Sequence, residues 1–224
     1  QEGFVRWLTL QVYVKTLTML PITITGNIGE ESLFGANQPF NVWSQSMKNT
    51  LKPHHVYVVM GVSGSGKSAV ATSVAQQLGA GFLDGDFLHP RSNINKMSEG
   101  HALNDEDRAP WLSALNDAAF AMQRTNDVSV IVCSALKKRY RDRLREGNAN
   151  LSFIYMDGDF ELIESRMKAR KGHFFKPQIL VSQFEALEVP NADEQDVCAI
   201  DINQSLDAVI ADTLKHIQQR SIQE

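Results

Sequence analysis

An eight-residue segment, GVSGSGKS at 61–68, restricts the folds open to this chain more than any other feature of it. It fits the pattern G-x-x-x-x-G-K-[ST], follows the apolar run VYVVM at 56–60 and opens a stretch of helical period from Lys67 to Leu78. Strand, loop and helix in that order are what a phosphate-binding loop requires. Glycines at 61, 64 and 66 permit a tight curl, so that the backbone N–H groups of Gly61, Val62, Ser63, Gly64, Ser65, Gly66, Lys67 and Ser68 can converge on a phosphate at a helix N-terminus. Lys67 is placed to reach the β- and γ-phosphates of ATP, and Ser68 to offer its hydroxyl to the accompanying Mg²⁺. A chance match in a chain of this length is of order 1% at ordinary glycine usage, which sets the purely structural reading of the loop aside.

From Val56 onward, short apolar runs alternate with segments of helical period. The expected strands are 56–60, 81–85, 128–133, 151–156 and 197–202. Helices are expected at Lys67–Leu78, Ala109–Thr125, Lys137–Glu146, Asp159–Arg170, Pro177–Leu187 and Ser205–Gln219. Continuous apolar strands separated by helices predict a three-layer α/β domain of the P-loop NTPase type over 51–224, its parallel sheet covered on both faces. The basic, glycine-containing stretch KARKGHFFK at 168–176 lies between two helices and reads as a mobile lid or as a solvated loop.

Residues 1–50 differ from the rest. Their most apolar stretch, TLTMLPITITG at 16–26, is broken by threonines and proline, and it is too short and polar for a bilayer span or a secretory signal. The segment is expected to be a disordered or non-native extension, or an extra strand or two, with Met47 as the natural start and the cytoplasm as the setting. The net charge of −4, from 22 basic and 26 acidic residues without single-sign blocks, points away from nucleic acid and membrane surfaces and towards small-molecule partners. Two cysteines, Cys133 and Cys198, each within an apolar run, read as buried thiols and not as a disulfide or zinc set.

A phosphate-binding loop alone does not choose the chemistry. Guanine-recognising NKxD is absent, NKMS at 95–98 lacking the aspartate, and so is a transporter-type LSGGQ. The third strand, VSVIVC, ends without the usual Walker B aspartate and is followed by Ser134. A metal-holding carboxylate is available instead in DGD at 84–86, where the second strand meets the carboxyl edge of the sheet. On a strand, acids one residue apart point the same way. Asp84 is therefore expected near Mg²⁺, and Asp86 on the acceptor hydroxyl as a general base. A turn with two solvated acids is the competing reading.

Three longer segments then carry a resemblance. DGDFLHPRSNINKMSEGHALNDEDRAPWL at 84–112, CSALKKRYRDRLR at 133–145 and GHFFKPQILVSQFEALEVPNADE at 172–194, with the phosphate loop, resemble the successive motifs of the gluconokinase family over most of residues 55–202. The resemblance implies transfer of the γ-phosphoryl group of ATP to the 6-hydroxyl of D-gluconate, with Mg²⁺, in sugar-acid catabolism. It also implies strand order 2-3-1-4-5, as in shikimate and adenylate kinases, and a homodimer. Gluconate pairs a carboxylate with a flexible polyol, and Asp86, Asn93, Lys96, Arg108 and Lys137 supply hydroxyl acceptors and cations. Arg108, whose planar fork suits two-point pairing, is the first choice for the carboxylate, unless it pairs with Asp105 or Asp107. Lys137 is a comparable candidate for the substrate or the transferring phosphoryl group, with a solvated helix start as the alternative.

Likeness to the adenylate-kinase fold implies that Arg166 or Arg170, four apart on one helix face, closes over the nucleotide; a solvated helix end is the alternative. His89 and His173 read as structural, and Trp111, Phe174 and Phe175 as packing residues. Two other functions compete, a shikimate-kinase-like enzyme and a catalytically silent nucleotide-binding regulator. Against the first, CSALK stands where that family carries a glycine triplet; against the second, Lys67, Ser68, Asp84 and Asp86 are all intact.

Overall fold

In a computed structural model, residues 54–169 and 177–223 are described. The extension at 1–50, Arg170 and most of the expected lid, with His173, Phe174 and Phe175, lie outside them. The elements are β1 (His55–Met60), α1 (Lys67–Leu78), β2 (Gly81–Asp84), α2 (Arg91–Ser98), α3 (Asp105–Thr125), β3 (Val128–Val132), α4 (Lys138–Arg145), β4 (Leu151–Asp157), α5 (Phe160–Ala169), α6 (Pro177–Ala186), β5 (Val197–Asp201) and α7 (Leu206–Gln223), with a 3-10 turn at Gly85–Leu88. The five strands form one parallel sheet in the order β2-β3-β1-β4-β5.

Alternation along the strands divides the interior in two. Tyr57 and Val59 of β1, Val130 of β3 and Ile154 of β4 pack with Val70 and Val74 of α1 and Ile210 and Leu214 of α7. Val58, Ile131 and Phe153 point the other way, against Trp111, Leu112 and Leu115 of α3 and Leu144 of α4. Strands buried on both faces cannot use alternating polarity, which is why they appear in the sequence as unbroken apolar runs. No helix among the described residues is long and apolar enough to cross a membrane.

Three expectations are corrected. Helix α3 begins one turn before Ala109, because Asn104 and Asp107 form a reciprocal capping box, each side chain accepting the other's backbone N–H at 2.8 Å. Helix α2 was not expected at all: its apolar residues Ile94 and Met97 are 47% and 41% exposed, so it carries no core-facing stripe to read. Cys133 is buried as expected, and burial pushes its thiol up to about 12, but Cys198 is only half-buried because β5 is an edge strand.

A buried ion pair fixes one flank. The Arg141 guanidinium, in α4, grips Glu194 through Nε at 2.7 Å and Nη2 at 2.5 Å, and Arg145 adds a bond to Glu194 at 2.8 Å. Burial works to raise the Glu194 carboxyl, but hydrogen bonds from Arg141 and then Arg145 outweigh it and hold the group at about 2. A carboxyl depressed from 4.5 contributes stability that is complete above pH 4.5 and is lost as pH falls towards 2. Truncating one partner strands the other charge, so Glu194→Ala is expected to lose about 3–5 kcal/mol in urea unfolding at pH 7. It should also lose that acid-range slope.

Candidate active site

The phosphate loop leaves β1 and turns into α1 through left-handed glycines, with φ of 86° at Gly64 and 95° at Gly66. A Cβ on Gly64 would lie 2.6 Å from Met167 Cγ, so that glycine also permits close approach of α5. A Cβ on Gly66 would meet nothing within 4 Å, which places open space over the loop where it enters the helix. Lys67 Nζ donates to Val62 O at 2.8 Å, curling over its own loop. Ser68 is exposed in the first turn of α1, whereas Ser65 is buried and its Oγ has no hydrogen-bond partner among the described residues. The Ser63 N–H donates to Gln183 Oε1 of α6 at 2.5 Å.

The DGD turn lies at the exit of β2. The strand ends at Asp84 and the next four residues coil, so the two acids do not share a strand face as expected. Asp84 turns back, accepting the Asp86 N–H at 3.1 Å, and Asp86 projects into solvent with its side chain 84% exposed. Burial raises the Asp84 carboxyl, opposed by that N–H, reinforced by the Asp86 charge and opposed by Lys67, which places Lys67 within electrostatic reach. Gly85 between them is obligatory: a Cβ would sit 2.5 Å from Val132 O, and the Trp111 indole N–H donates to Gly85 O at 2.8 Å. Trp111 therefore holds the turn as well as filling the core.

Four of the expected acceptor residues gather around the first turn of α3. Lys96 pairs with Asp107 at 2.5 Å. Lys137 Nζ lies 3.0 Å from Asp105, which also receives Arg139 and the Tyr140 hydroxyl. The bond from Tyr140, followed by that from Lys137, holds the Asp105 carboxyl at about 2. Arg108 pairs with neither aspartate; its Nη1 donates to the carbonyls of Leu103 and Asn104. Its charge is thus the one in this group with no carboxylate within salt-bridge distance among the described residues. Asn93 is buried, its Nδ2 donating to Asp107 O at 2.8 Å and facing His89 Nδ1 at 3.3 Å.

Arg166 points elsewhere: Nη2 donates to Ile202 O at 2.5 Å and to Gln204 O at 3.2 Å, in the loop after β5. Sequence reasoning missed Gln183, Glu188, Arg141 and Glu194, because the contacts of Gln183 with Ser63, Glu188 with Lys138 and Arg141 with Glu194 each join residues 50 or more positions apart. It gave Asp105 only as a partner for Arg108. The DED run just behind Asn104 was the available signal for its role as a hub.

Residues 56–187 match the family described as AAA domain. The chain is 70% identical over 172 residues to the thermoresistant gluconokinase of Escherichia coli K12, covering 77% of this chain and 98% of that protein. It is 54% identical over 150 residues to the thermosensitive gluconokinase of the same organism, covering 67% and 80%. Among solved structures it is similar to a gluconokinase from Sinorhizobium meliloti 1021, with a TM-score of 0.69, 40% identity and coverage of 76% of this chain and 95% of the other.

His89 stacks on Trp111 with ring centroids 4.3 Å apart. Burial first, and the Arg108 charge second, lower its pKa from 6.5 to about 4. With the Asn93 amide donating to Nδ1, the proton belongs on Nε2. A histidine depressed in this way contributes stability that is complete above pH 6.5 and lost as pH falls towards 4. Long-range ¹H–¹⁵N spectra should show an Nε2–H tautomer and a midpoint near 4, and His89→Phe should flatten the stability profile across that interval.

Proposed function

The chain belongs to the gluconokinase family, and we propose that it transfers the γ-phosphoryl group of ATP to the 6-hydroxyl of D-gluconate, releasing ADP and 6-phospho-D-gluconate in the cytoplasm. The observation that carries this reading is the meeting of donor loop and acceptor turn at one sheet edge. Lys67 and Asp84 sense each other's charge there, while Asp86 and Arg108 remain available.

The residues suit ATP with Mg²⁺. The loop from Gly61 to Ser68 presents left-handed glycines and a helix N-terminus, as the β-phosphate requires. No cluster of three or more His, Cys, Asp or Glu suited to a metal occurs among the described residues. That fits a cation held by a hydroxyl, one carboxylate and the phosphates themselves, with Ser68 and Asp84 as the protein's share. When bound, Mg²⁺ neutralises phosphate charge and aligns the γ-phosphoryl group for in-line transfer.

The chain's own groups do the rest. Lys67 leaves the Val62 carbonyl for the β- and γ-phosphates. Asp86 takes the proton of the 6-hydroxyl as its oxygen bonds to γ-phosphorus and the β–γ bridging bond breaks. Arg108 receives the gluconate carboxylate in a two-point pair, with Asn93, Lys96 and Lys137 lining the polyol. Arg166 and Arg170, four residues apart in sequence, are assigned to the transition-state charge. For Arg166 that means exchanging the Ile202 and Gln204 carbonyls for phosphate oxygen.

Coupled ADP release should be stimulated strongly by D-gluconate and not by shikimate or AMP. Lys67→Ala is expected to lower kcat by about 10²–10³-fold with the fold intact. Asp86→Asn should lower kcat by about 10²–10⁴-fold and leave the Kd for ATP within about twofold. Gluconate turnover close to normal in Asp86→Asn would remove that residue from the proton step.

A further inference from the structure

The loop joining β3 to α4 is bent against its own preference. Ala135 has φ of 42°, in the left-handed region that residues with a Cβ rarely adopt, and both it and Leu136 are buried. Such a conformation persists only where the surroundings impose it, and functional sites are where it gathers. Here the surroundings are explicit. The Gly61 N–H donates to Ser134 O at 3.2 Å, and Arg141 Nη1 donates to the carbonyls of Ala135 and Leu136, each at 3.2 Å.

The remaining restraint comes from one residue. Glu188 donates its backbone N–H to Leu136 O at 2.9 Å and accepts the Lys138 N–H on Oε2 at 2.6 Å. It therefore grips the main chain on both sides of Lys137. Lys137 is the N-cap of α4 and its own side chain makes no cap bond, so the Glu188 carboxylate, fifty residues away, takes that role. A carboxylate is favoured at a helix N-terminus on charge grounds too. The Lys137 ammonium, a donor only, cannot accept the helix N–H groups and extends instead to Asp105. Five residues before Glu188, Gln183 holds the Ser63 N–H of the phosphate loop, so α6 and its exit touch both the donor and the acceptor loops.

We propose that Glu188 is a positioning residue for the acceptor: by fixing the peptide groups that flank Lys137, it sets where that ammonium meets gluconate. This rests on the assignment of Lys137 to the acceptor site. Glu188 is exposed, so its replacement leaves no cavity and no stranded buried charge.

The test is steady-state kinetics on Glu188→Ala, Glu188→Gln, Lys137→Ala and the double variant Glu188→Ala/Lys137→Ala. Glu188→Ala is expected to raise the KM for gluconate by about five- to tenfold while the KM for ATP stays within about twofold. Glu188→Gln keeps an oxygen for the Lys138 N–H and should recover most of the loss. In the Lys137→Ala background, Glu188→Ala should add less than about twofold, because the two act as one unit. A Glu188→Ala protein with a lowered Tm and unchanged constants would make Glu188 merely structural and overturn the proposal. So would a full, additive effect in the double variant. Lys137→Ala with an unaltered KM for gluconate would remove the acceptor assignment and this inference together, whereas a raised KM there beside a normal one in Glu188→Ala would remove this inference alone.

Discussion

Every reactive group described here depends on the pairing of β1 between β3 and β4. Val58 lies opposite Ile131 on one side and Phe153 on the other, and all six residues of β1 are buried. A strand so enclosed must satisfy each backbone donor and acceptor from its neighbours, which removes any freedom in where it ends. The ladder also continues past the strand ends, since the Cys133 N–H reaches Val59 O and the Gly61 N–H reaches Ser134 O. The phosphate loop and the loop carrying Lys137 are thereby bonded to each other before either meets a ligand. The pairing of β2 with β3, in which Asp84 lies opposite Val132, sets the acid turn against the same edge. The phosphate loop, the loop carrying Lys137 and the acid turn are thus adjacent because three neighbouring parallel strands end together.

On the proposed assignment of the acceptor residues, charge around the first turn of α3 favours an anionic acceptor. Lys96, Lys137 and Arg139 pair with the carboxylates of Asp105 and Asp107, and Arg108 stands beside them bonded to main-chain carbonyls. An acceptor with its own carboxylate can enter without competing for an existing pair, because Arg108 is bonded to main-chain carbonyls and not to an acid. Exchange of two carbonyls for a carboxylate gains a charge-assisted contact. A neutral polyol would gain nothing equivalent. The capping box between Asn104 and Asp107 keeps the turn in place, and Asp107 serves both the helix and Lys96.

The sheet was legible because buried parallel strands write themselves as apolar runs, and helix α1 because Lys67 and Leu78 bound a clear helical period. The phosphate loop was legible because its glycines have a backbone reason to be there. Helix α2 was not, since a polar helix exposing Ile94 and Met97 has no periodic signature. The links from Arg141 to Glu194 and from Glu188 to Lys138 join polar residues about fifty positions apart, and only the folded topology brings them together. Arg108 could be named as a candidate, but its choice of carbonyls over Asp105 or Asp107 depended on those acids already being taken by Lys137 and Lys96.

The two acids of the DGD turn show how a small steric demand separates chemical roles. Had β2 continued through Asp86, both carboxylates would have faced the same side and repelled each other over one site. Gly85 instead passes so close to Val132 O that no side chain fits, and Trp111 holds its carbonyl. The chain coils at that point, and Asp84 is drawn back half-buried beside the charge of Lys67 while Asp86 is turned outward. On the proposed assignment, one carboxylate then serves the phosphate side and the other the acceptor side. A kinase needs that division, because the group that helps to hold the metal cannot also take the hydroxyl proton.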